Sequence, residues 1–234
     1  MVMDTPATLR TVDSLSVITM DDGKANALSP TMFVALNACL DQAEVTGGPV
    51  VLLGRAGRFS GGFDLKVLGG GGEEAKALLR AGFELSHRLL SFPTPVVLGC
   101  TGHAIAMGVF LLLSGDYRIG ANGPFKLAAT ETALGMTMPH AAIEICKQRL
   151  TPAEFNRAIL LSQAYTPEQA VVAGILDAIV PAEDVESSAI EVATQLAALS
   201  MRAHTASKLR IRGESLTAIK AAVDQDAEEF RIVP

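Results

Sequence analysis

The sequence predicts an α/β fold: repeated strand–helix units that form a parallel sheet, followed by a helical C-terminal region. Three observations carry this expectation. Continuously apolar runs of strand length, Val50–Leu53 and Val96–Cys100, follow segments whose apolar residues recur at helical spacing. Each run leads into a glycine-bearing turn, Phe59-Ser60-Gly61-Gly62-Phe63-Asp64-Leu65 and Gly102-His103-Ala104-Ile105-Ala106-Met107-Gly108. Beyond Tyr117–Ala121, helix-start signals take over.

Taken in order, Leu15–Met20 reads as the first strand and enters a loop over residues 21–28. Ser29-Pro30 then places a capping hydroxyl ahead of a proline at the first helical position, and Phe33, Leu36, Leu40 and Ala43 continue along one face. Gly47-Gly48-Pro49 ends that helix and delivers the chain to Val50–Leu53. The run Gly69-Gly70-Gly71-Gly72 invites a nucleotide-loop reading, but it lacks the following Lys-Ser/Thr and the strand-to-helix context, so a mobile loop is expected. Leu78, Leu79, Gly82, Phe83, Leu85, Ser86, Leu89 and Leu90 make the next helical face, which Pro93-Thr94-Pro95 breaks before Val96–Cys100. Thr151-Pro152-Ala153-Glu154 and Thr166-Pro167-Glu168-Gln169 each supply a hydroxyl, a proline and a Glu or Gln at the third helical position, which marks two helix starts. One short strand is expected within 176–180, and helix from Pro181 to near Phe230.

A chain of 234 residues is long enough for one large core, and a single catalytic unit is expected. The net charge of -6 leaves no basic face for nucleic acid, so an anionic ligand must be met locally. Cys39, Cys100 and Cys146 are isolated, without metal-ligand or redox spacing, and read as small core residues in a reducing cytosol. No metal is implied. The apolar stretch 104–113 is too short to span a bilayer, and Met1-Val2-Met3-Asp4 is not a signal sequence, so a soluble cytoplasmic protein is expected with no membrane partner.

The two glycine turns carry the chemistry. A backbone N–H can be aimed into a pocket where the chain turns sharply with little side-chain bulk, and two such donors hold an oxygen that gains negative charge during a reaction. This pattern points to carbanion chemistry beside a carbonyl. The turns, their order and their surroundings resemble the crotonase family, the enoyl-CoA hydratase and isomerase group, over nearly the whole chain. The resemblance implies a ClpP/crotonase spiral of repeated ββα and βαβ units over 1–180, holding the CoA site and oxyanion hole. It implies a helical region over 181–234 that serves oligomerisation and covers the active site. The substrate is then an acyl-CoA, with no cofactor besides the CoA thioester itself, and the assembly a homotrimer or a dimer of trimers.

Residue by residue, the family's adenine-binding stretch corresponds to Lys24-Ala25-Asn26-Ala27-Leu28, and its first oxyanion turn makes Phe63 N–H a donor, followed by Asp64 and Leu65. The second donor falls on Met107, where the family usually has glycine. Hydratases of the family use two glutamates; the first position is Phe110 here, and the second is retained as Glu131 in Glu131-Thr132-Ala133-Leu134-Gly135. Residues 116–119 and 130–132 resemble the Δ3,Δ2-enoyl-CoA isomerases, which work with one glutamate. One carboxylate suits a proton shuttle, whereas hydration divides its work between two groups. Hydration stays open through His140, Asp64 or an ordered water.

Plainer readings stand beside these. Taken alone, Glu131 is an exposed carboxylate at a strand end. Asp64 ties down its own turn, and His140 is a solvent-facing helix start. His103 packs or hydrogen-bonds beside its turn. Phe83, Leu85 and Leu89 line an acyl channel or belong to the core. Lys24, Lys66 and Lys208 are candidates to reach CoA phosphates. The second turn also resembles that of Clp-type serine peptidases, but Ala106 stands where their nucleophilic serine would be. A non-catalytic acyl-CoA-binding protein is the remaining alternative.

Overall fold

The computed structural model describes residues 5–229. The opening Met1-Val2-Met3-Asp4 and the helix limit near Phe230 lie outside the described residues. The chain starts with an antiparallel pair, β1 (Ala7–Val12) and β2 (Leu15–Met20). Only Ala7 of β1 is buried, so this edge strand leaves almost no apolar signal in the sequence. Next come β3 (Ala27–Leu28) and α1 (Pro30–Thr46). Ser29 Oγ accepts the N–H of Met32 at 3.2 Å at the start of α1, as its capping pattern predicts.

The central part repeats one unit. β4 (Val50–Leu53) is followed by β5 (Gly57–Ser60), β7 (Val96–Cys100) by β8 (Gly102–Ile105), and β9 (Tyr117–Ala121) by β10 (Leu127–Ala128). The longer strand of each pair lies in a six-stranded sheet ordered β1-β2-β4-β7-β9-β11, with β11 at Ala178–Val180. The shorter lies in a three-stranded sheet ordered β10-β8-β5. Both sheets climb in the same order, and apart from β1 with β2 their strand pairs are parallel. Such a chain winds as a spiral, each turn displaced by one strand. Helices α2 (Leu65–Gly70), α3 (Gly72–Ser91) and α4 (Met107–Leu113) fill the intervals, with the two-residue β6 (Gly62–Phe63) pairing with β3.

The apolar runs are continuous because the main sheet is covered on both faces. Ile18, Val50, Leu52, Val96 and Leu98 point into the larger core with α1, α3 and α4. Val17, Val51, Leu53 and Val97 point the other way, under Val185, Ala189 and Ala193 of α8 (Val185–Ala197). Each such side chain contributes roughly 1.5–3 kcal/mol on burial. The remaining helices are α5 (His140–Lys147), α6 (Pro152–Leu161), α7 (Pro167–Ala173) and α9 (Met201–Glu229). Helix α9 packs along α3 and α5. The two starts at Thr151 and Thr166 are capped as expected, Thr166 with a complete capping box.

One expectation fails. Gly69-Gly70-Gly71-Gly72 is not a loop: Gly69 and Gly70 close α2, Gly72 opens α3, and the helical path breaks at Gly71 (φ 65, ψ -159) and Gly72 (φ 64). Asp64 caps α2, and buried Leu68 and Ala75 hold both helices on the core, which outweighs the poor helix propensity of glycine. All three cysteines are free and buried. Among the described residues no helix is long and apolar enough to cross a membrane, and no cluster of side chains has the makings of a metal site.

Candidate active site

The two glycine turns lie backbone against backbone. Gly62 has φ 89, and a Cβ there would sit 2.8 Å from Ile105 O, 3.1 Å from Ala106 Cβ and 3.3 Å from Met107 N. Only glycine permits both that conformation and that approach. Ala106, just before α4, has φ 50 and ψ -124, a conformation an L-residue rarely adopts. It is held there by its N–H, which donates to Ala128 O at 2.8 Å, and by its carbonyl, which accepts from Val109 N–H at 2.9 Å. Met107 follows with a fully buried side chain.

Residues 21–28 are fastened to the first turn. The Asp22 carboxylate accepts from the N–H groups of Lys24 (2.7 Å), Asn26 (2.8 Å) and Ala27 (2.9 Å). Burial works to raise the pKa of Asp22, but these bonds and the charge of Arg55 outweigh it and hold the carboxyl below its usual range. The Asn26 side chain is fully buried and donates to Met20 O and Phe59 O, while Ser60 Oγ donates to Asn26 O at 2.8 Å. Asn26 is thus a staple between loop and turn. Leu28 is also buried, Ala27 partly so, and Lys24 and Ala25 are exposed. Asp64 caps α2 by accepting from Lys66 N–H at 2.9 Å, and Leu65 is 71% exposed.

Glu131 sits on the wall of a cavity of about 190 Å³. Phe63, Leu68, Leu79 and Phe83 form one side; Met136, Thr137, Met138 and Pro139 form another; His140, Asp226 and Glu229 complete it. Glu131 is 5% exposed, which corrects the plain reading of an exposed strand-end carboxylate. Its Oε2 has no hydrogen-bond partner among the described residues. Burial pushes its pKa up to about 7, against the opposing effect of the Glu131 and Thr130 backbone N–H groups. A short helical turn, Thr132–Leu134, sets the carboxylate in place: Thr132 Oγ1 donates to Ile159 O at 2.9 Å, and Met136 N–H donates to Glu131 O at 2.9 Å. Phe110 is buried, its ring 6.2 Å from that of Phe83 and tilted 34° to it, and Phe83 in turn lines the cavity. Phe63 meets Phe83 edge-on at 6.2 Å, and its ring lies where a Cβ on Gly82 would be.

A family model described as enoyl-CoA hydratase/isomerase matches residues 10–232. The chain belongs to the enoyl-CoA hydratase/isomerase family. A probable enoyl-CoA hydratase of Bacillus subtilis is 30% identical over 188 residues, 79% of this chain and 71% of that protein. A solved structure from Mycobacterium tuberculosis described as an enoyl-CoA isomerase is 49% identical, with a TM-score of 0.94 over 97% of this chain and 100% of that one, and a second structure of the same protein is described as a probable enoyl-CoA hydratase. A solved enoyl-CoA hydratase of Mycobacterium marinum is likewise 49% identical, with a TM-score of 0.93 over 97% of this chain and 100% of that one. The fold is the crotonase fold and the family one of enzymes; both hydratases and isomerases stand among the relatives.

Other residues singled out from the sequence of this family member take plainer places. Lys208 is corrected as a candidate to reach the CoA phosphates: it is buried, with Nζ 2.6 Å from Asp116 Oδ2, near the starts of β7 and β9 and so at the opposite end of the sheet from the turns. Lys24 and Lys66 are exposed. His103 Nδ1 accepts from Lys126 N–H at 3.0 Å, and Leu85 and Leu89 are core. His140 is an exposed helix start, and its Nε2 lies 3.3 Å from Glu229 Oε2. The sequence pattern does not reveal Met136, Met138, Asp226 and Glu229 as cavity residues. Asp226 accepts from the N–H groups of His140 (2.7 Å) and Ala141 (2.9 Å), so the end of α9 caps the start of α5. The free N–H groups after Pro139 were the available signal that an acceptor was needed.

Proposed function

We propose that this protein shifts the double bond of an enoyl-CoA from C3 to C2, with Glu131 as the single acid/base. The observation that carries this reading is one buried carboxylate, with an oxygen unpartnered among the described residues and a pKa near neutrality, on a cavity lined also by Phe63 and Phe83. Glu131 removes a proton from C2; the C–H electron pair moves toward C1 and the thioester oxygen becomes a dienolate oxyanion. Phe63 N–H and Met107 N–H are the donors assigned to that oxygen. Glu131 then returns the proton to C4, and the double bond comes to rest between C2 and C3. Each oxyanion donor is worth roughly 2.7–4 kcal/mol in the transition state. Lys24, Ala25 and Ala27 are assigned to the adenine end of CoA, with Asn26, Leu28 and Asp64 holding the loop and turn that carry the contacts and Leu65 at the exposed edge. We assign the protein to the cytoplasm as a homotrimer or dimer of trimers, with no cofactor besides the CoA thioester.

Hydration is the second reading. It is favoured by the His140–Glu229 pair on the same cavity, which can hold a water opposite Glu131. The experiment that separates the two is incubation with a trans-3-enoyl-CoA and, separately, a trans-2-enoyl-CoA, with E131Q as control and products followed by mass spectrometry and chromatography. Conversion of the 3-enoyl to the 2-enoyl form without mass gain, lost in E131Q, supports the isomerase. Gain of one water by the 2-enoyl substrate makes the protein a hydratase. Binding of both without change leaves an acyl-CoA-binding protein.

A further inference from the structure

A second cavity, of about 490 Å³, opens at the end of the main sheet remote from the glycine turns. Asp116, just before β9, is at its base, and the first half of α9 forms one wall with His204, Ser207, Lys208 and Arg212; Arg149 faces them from the turn after α5. Its volume is many times the roughly 30 Å³ share of one liquid water.

The charges here do not balance. Lys208 Nζ and Arg212 Nη1 both pair with Asp116, at 2.6 Å and 2.9 Å, and Asp116 Oδ2 also accepts from Val96 N–H at 2.8 Å. Arg149 gives Nη2 to Gly115 O at 2.6 Å and, among the described residues, forms no ion pair with a carboxylate, although the charges of Asp177 and Asp116 act on it. Three cations therefore face one carboxylate in a chain whose net charge is -6. The neighbouring Asp177 is spent on Arg118, through Oδ1 at 2.7 Å and Oδ2 at 2.8 Å. The other polar groups of the wall are Gln148, Ser207, Ser215 and His204, whose buried Nε2 has no partner among the described residues. Burial lowers the His204 pKa, helped by the charges of Lys208 and Arg212 and opposed by that of Asp116. Burial, with Arg118 and Arg212 crowding behind it, disfavours the charge of Arg149 as well. A cavity rich in donors, with unbalanced cations and a fixed guanidinium, matches the chemistry of a phosphate oxyanion.

We propose that this cavity binds a phosphate-bearing anion, held by Arg149 and Arg212 with Lys208 and His204 as further donors. The site is separate from the catalytic cavity, since Lys208 bonds to Thr94 O ahead of β7 while the turns follow the C-terminal ends of β4 and β7. Helix α9 links the two: it carries Lys208 and Arg212 at one end and Asp226 and Glu229 at the other, on the order of 27 Å away at 1.5 Å per residue.

The test is titration of the full chain with inorganic pyrophosphate at fixed ionic strength by calorimetry, with and without saturating coenzyme A. The expected result is saturable binding of one pyrophosphate per chain that persists with coenzyme A present. R149Q is expected to weaken it at least tenfold. S207E, which places a carboxylate at the exposed rim, is expected to weaken it similarly, with fold checked by melting in pyrophosphate-free buffer. Absence of saturable binding to the wild type overturns the proposal. So does binding that coenzyme A displaces, which belongs to the catalytic site, or binding that both variants leave unchanged. A fall in assembly size in R149Q without pyrophosphate binding in the wild type also overturns it, because the cavity is then filled by a second copy of the chain.

Discussion

Replacing Glu131 by Gln keeps the shape of the side chain and removes only its ability to ionise. In the folded protein the carboxyl ionises at about 7 rather than at its ordinary 4.5, because burial opposes the charge. A raised carboxyl pKa gives stability that is fully present below the unfolded value and is lost as pH rises through the folded one. At pH 9 the wild type therefore carries the cost of a buried carboxylate, roughly 3 kcal/mol at 1.36 kcal/mol per pH unit. Neutral Gln does not carry it. E131Q should melt about 6–12 °C above the wild type at pH 9, using about 2–4 °C per kcal/mol for a domain of this size, and the gap should close between pH 7 and pH 4.5. The assay is a set of melting curves for both proteins across that range. On the catalytic side the same group must be ionised to act as base, so kcat/KM for the wild type should rise through about pH 7, and E131Q should lose at least 10²–10⁴-fold. A melting difference that does not change with pH refutes the burial argument. An acid limb near pH 4.5 would show that Glu131 ionises as it does in water.

Three other outcomes follow from the geometry. Ala106→Gly should stabilise the protein by about 1 kcal/mol in urea unfolding, since strain of roughly 1–3 kcal/mol at positive φ exceeds the entropic cost of glycine, about 0.5–1 kcal/mol. Gly82→Ala would bring a Cβ to 2.5 Å from the Phe63 ring; it should cost roughly 1–3 kcal/mol and lower kcat/KM, because Phe63 must move with the N–H assigned to the oxyanion. Asp116→Asn leaves Lys208 and Arg212 without their carboxylate and should destabilise by about 3–5 kcal/mol, read as a lower urea midpoint at unchanged slope.

Much of this architecture is written locally. Val50–Leu53 and Val96–Cys100 announce themselves because a strand covered on both faces has no polar position, and the capped helix starts at Ser29, Thr151 and Thr166 need only their own few residues. Glu131 was legible as a candidate through its Glu-x-x-x-Gly spacing. Its burial was not, because the cavity around it is completed by Phe63, Phe83 and Asp226 from distant parts of the chain. Asn26 shows the converse: the motif places it in the loop over residues 21–28 as a binding candidate, but its side chain turns inward to bond Met20 and Phe59. Lys208 looked like a free cation because its partner Asp116 lies far away in sequence and meets it only across the fold. The glycine run at 69–72 reads as a loop in isolation because its buried anchors on either side, Leu68 and Ala75, act only once the fold has formed.

The capping of α5 by Asp226 also sets an order of assembly. A ribosome making roughly 5–20 residues per second leaves an interval of about 5–20 s between the emergence of Glu131 and that of Asp226. Through that interval the spiral can collapse, but the N–H groups of His140 and Ala141 still await their acceptor and the cavity lacks the wall that α9 supplies. Completion of the Glu131 cavity thus waits until α9 has been made. Any change that loosens the end of α9 is therefore felt in the cavity around Glu131, although almost a hundred residues separate the two.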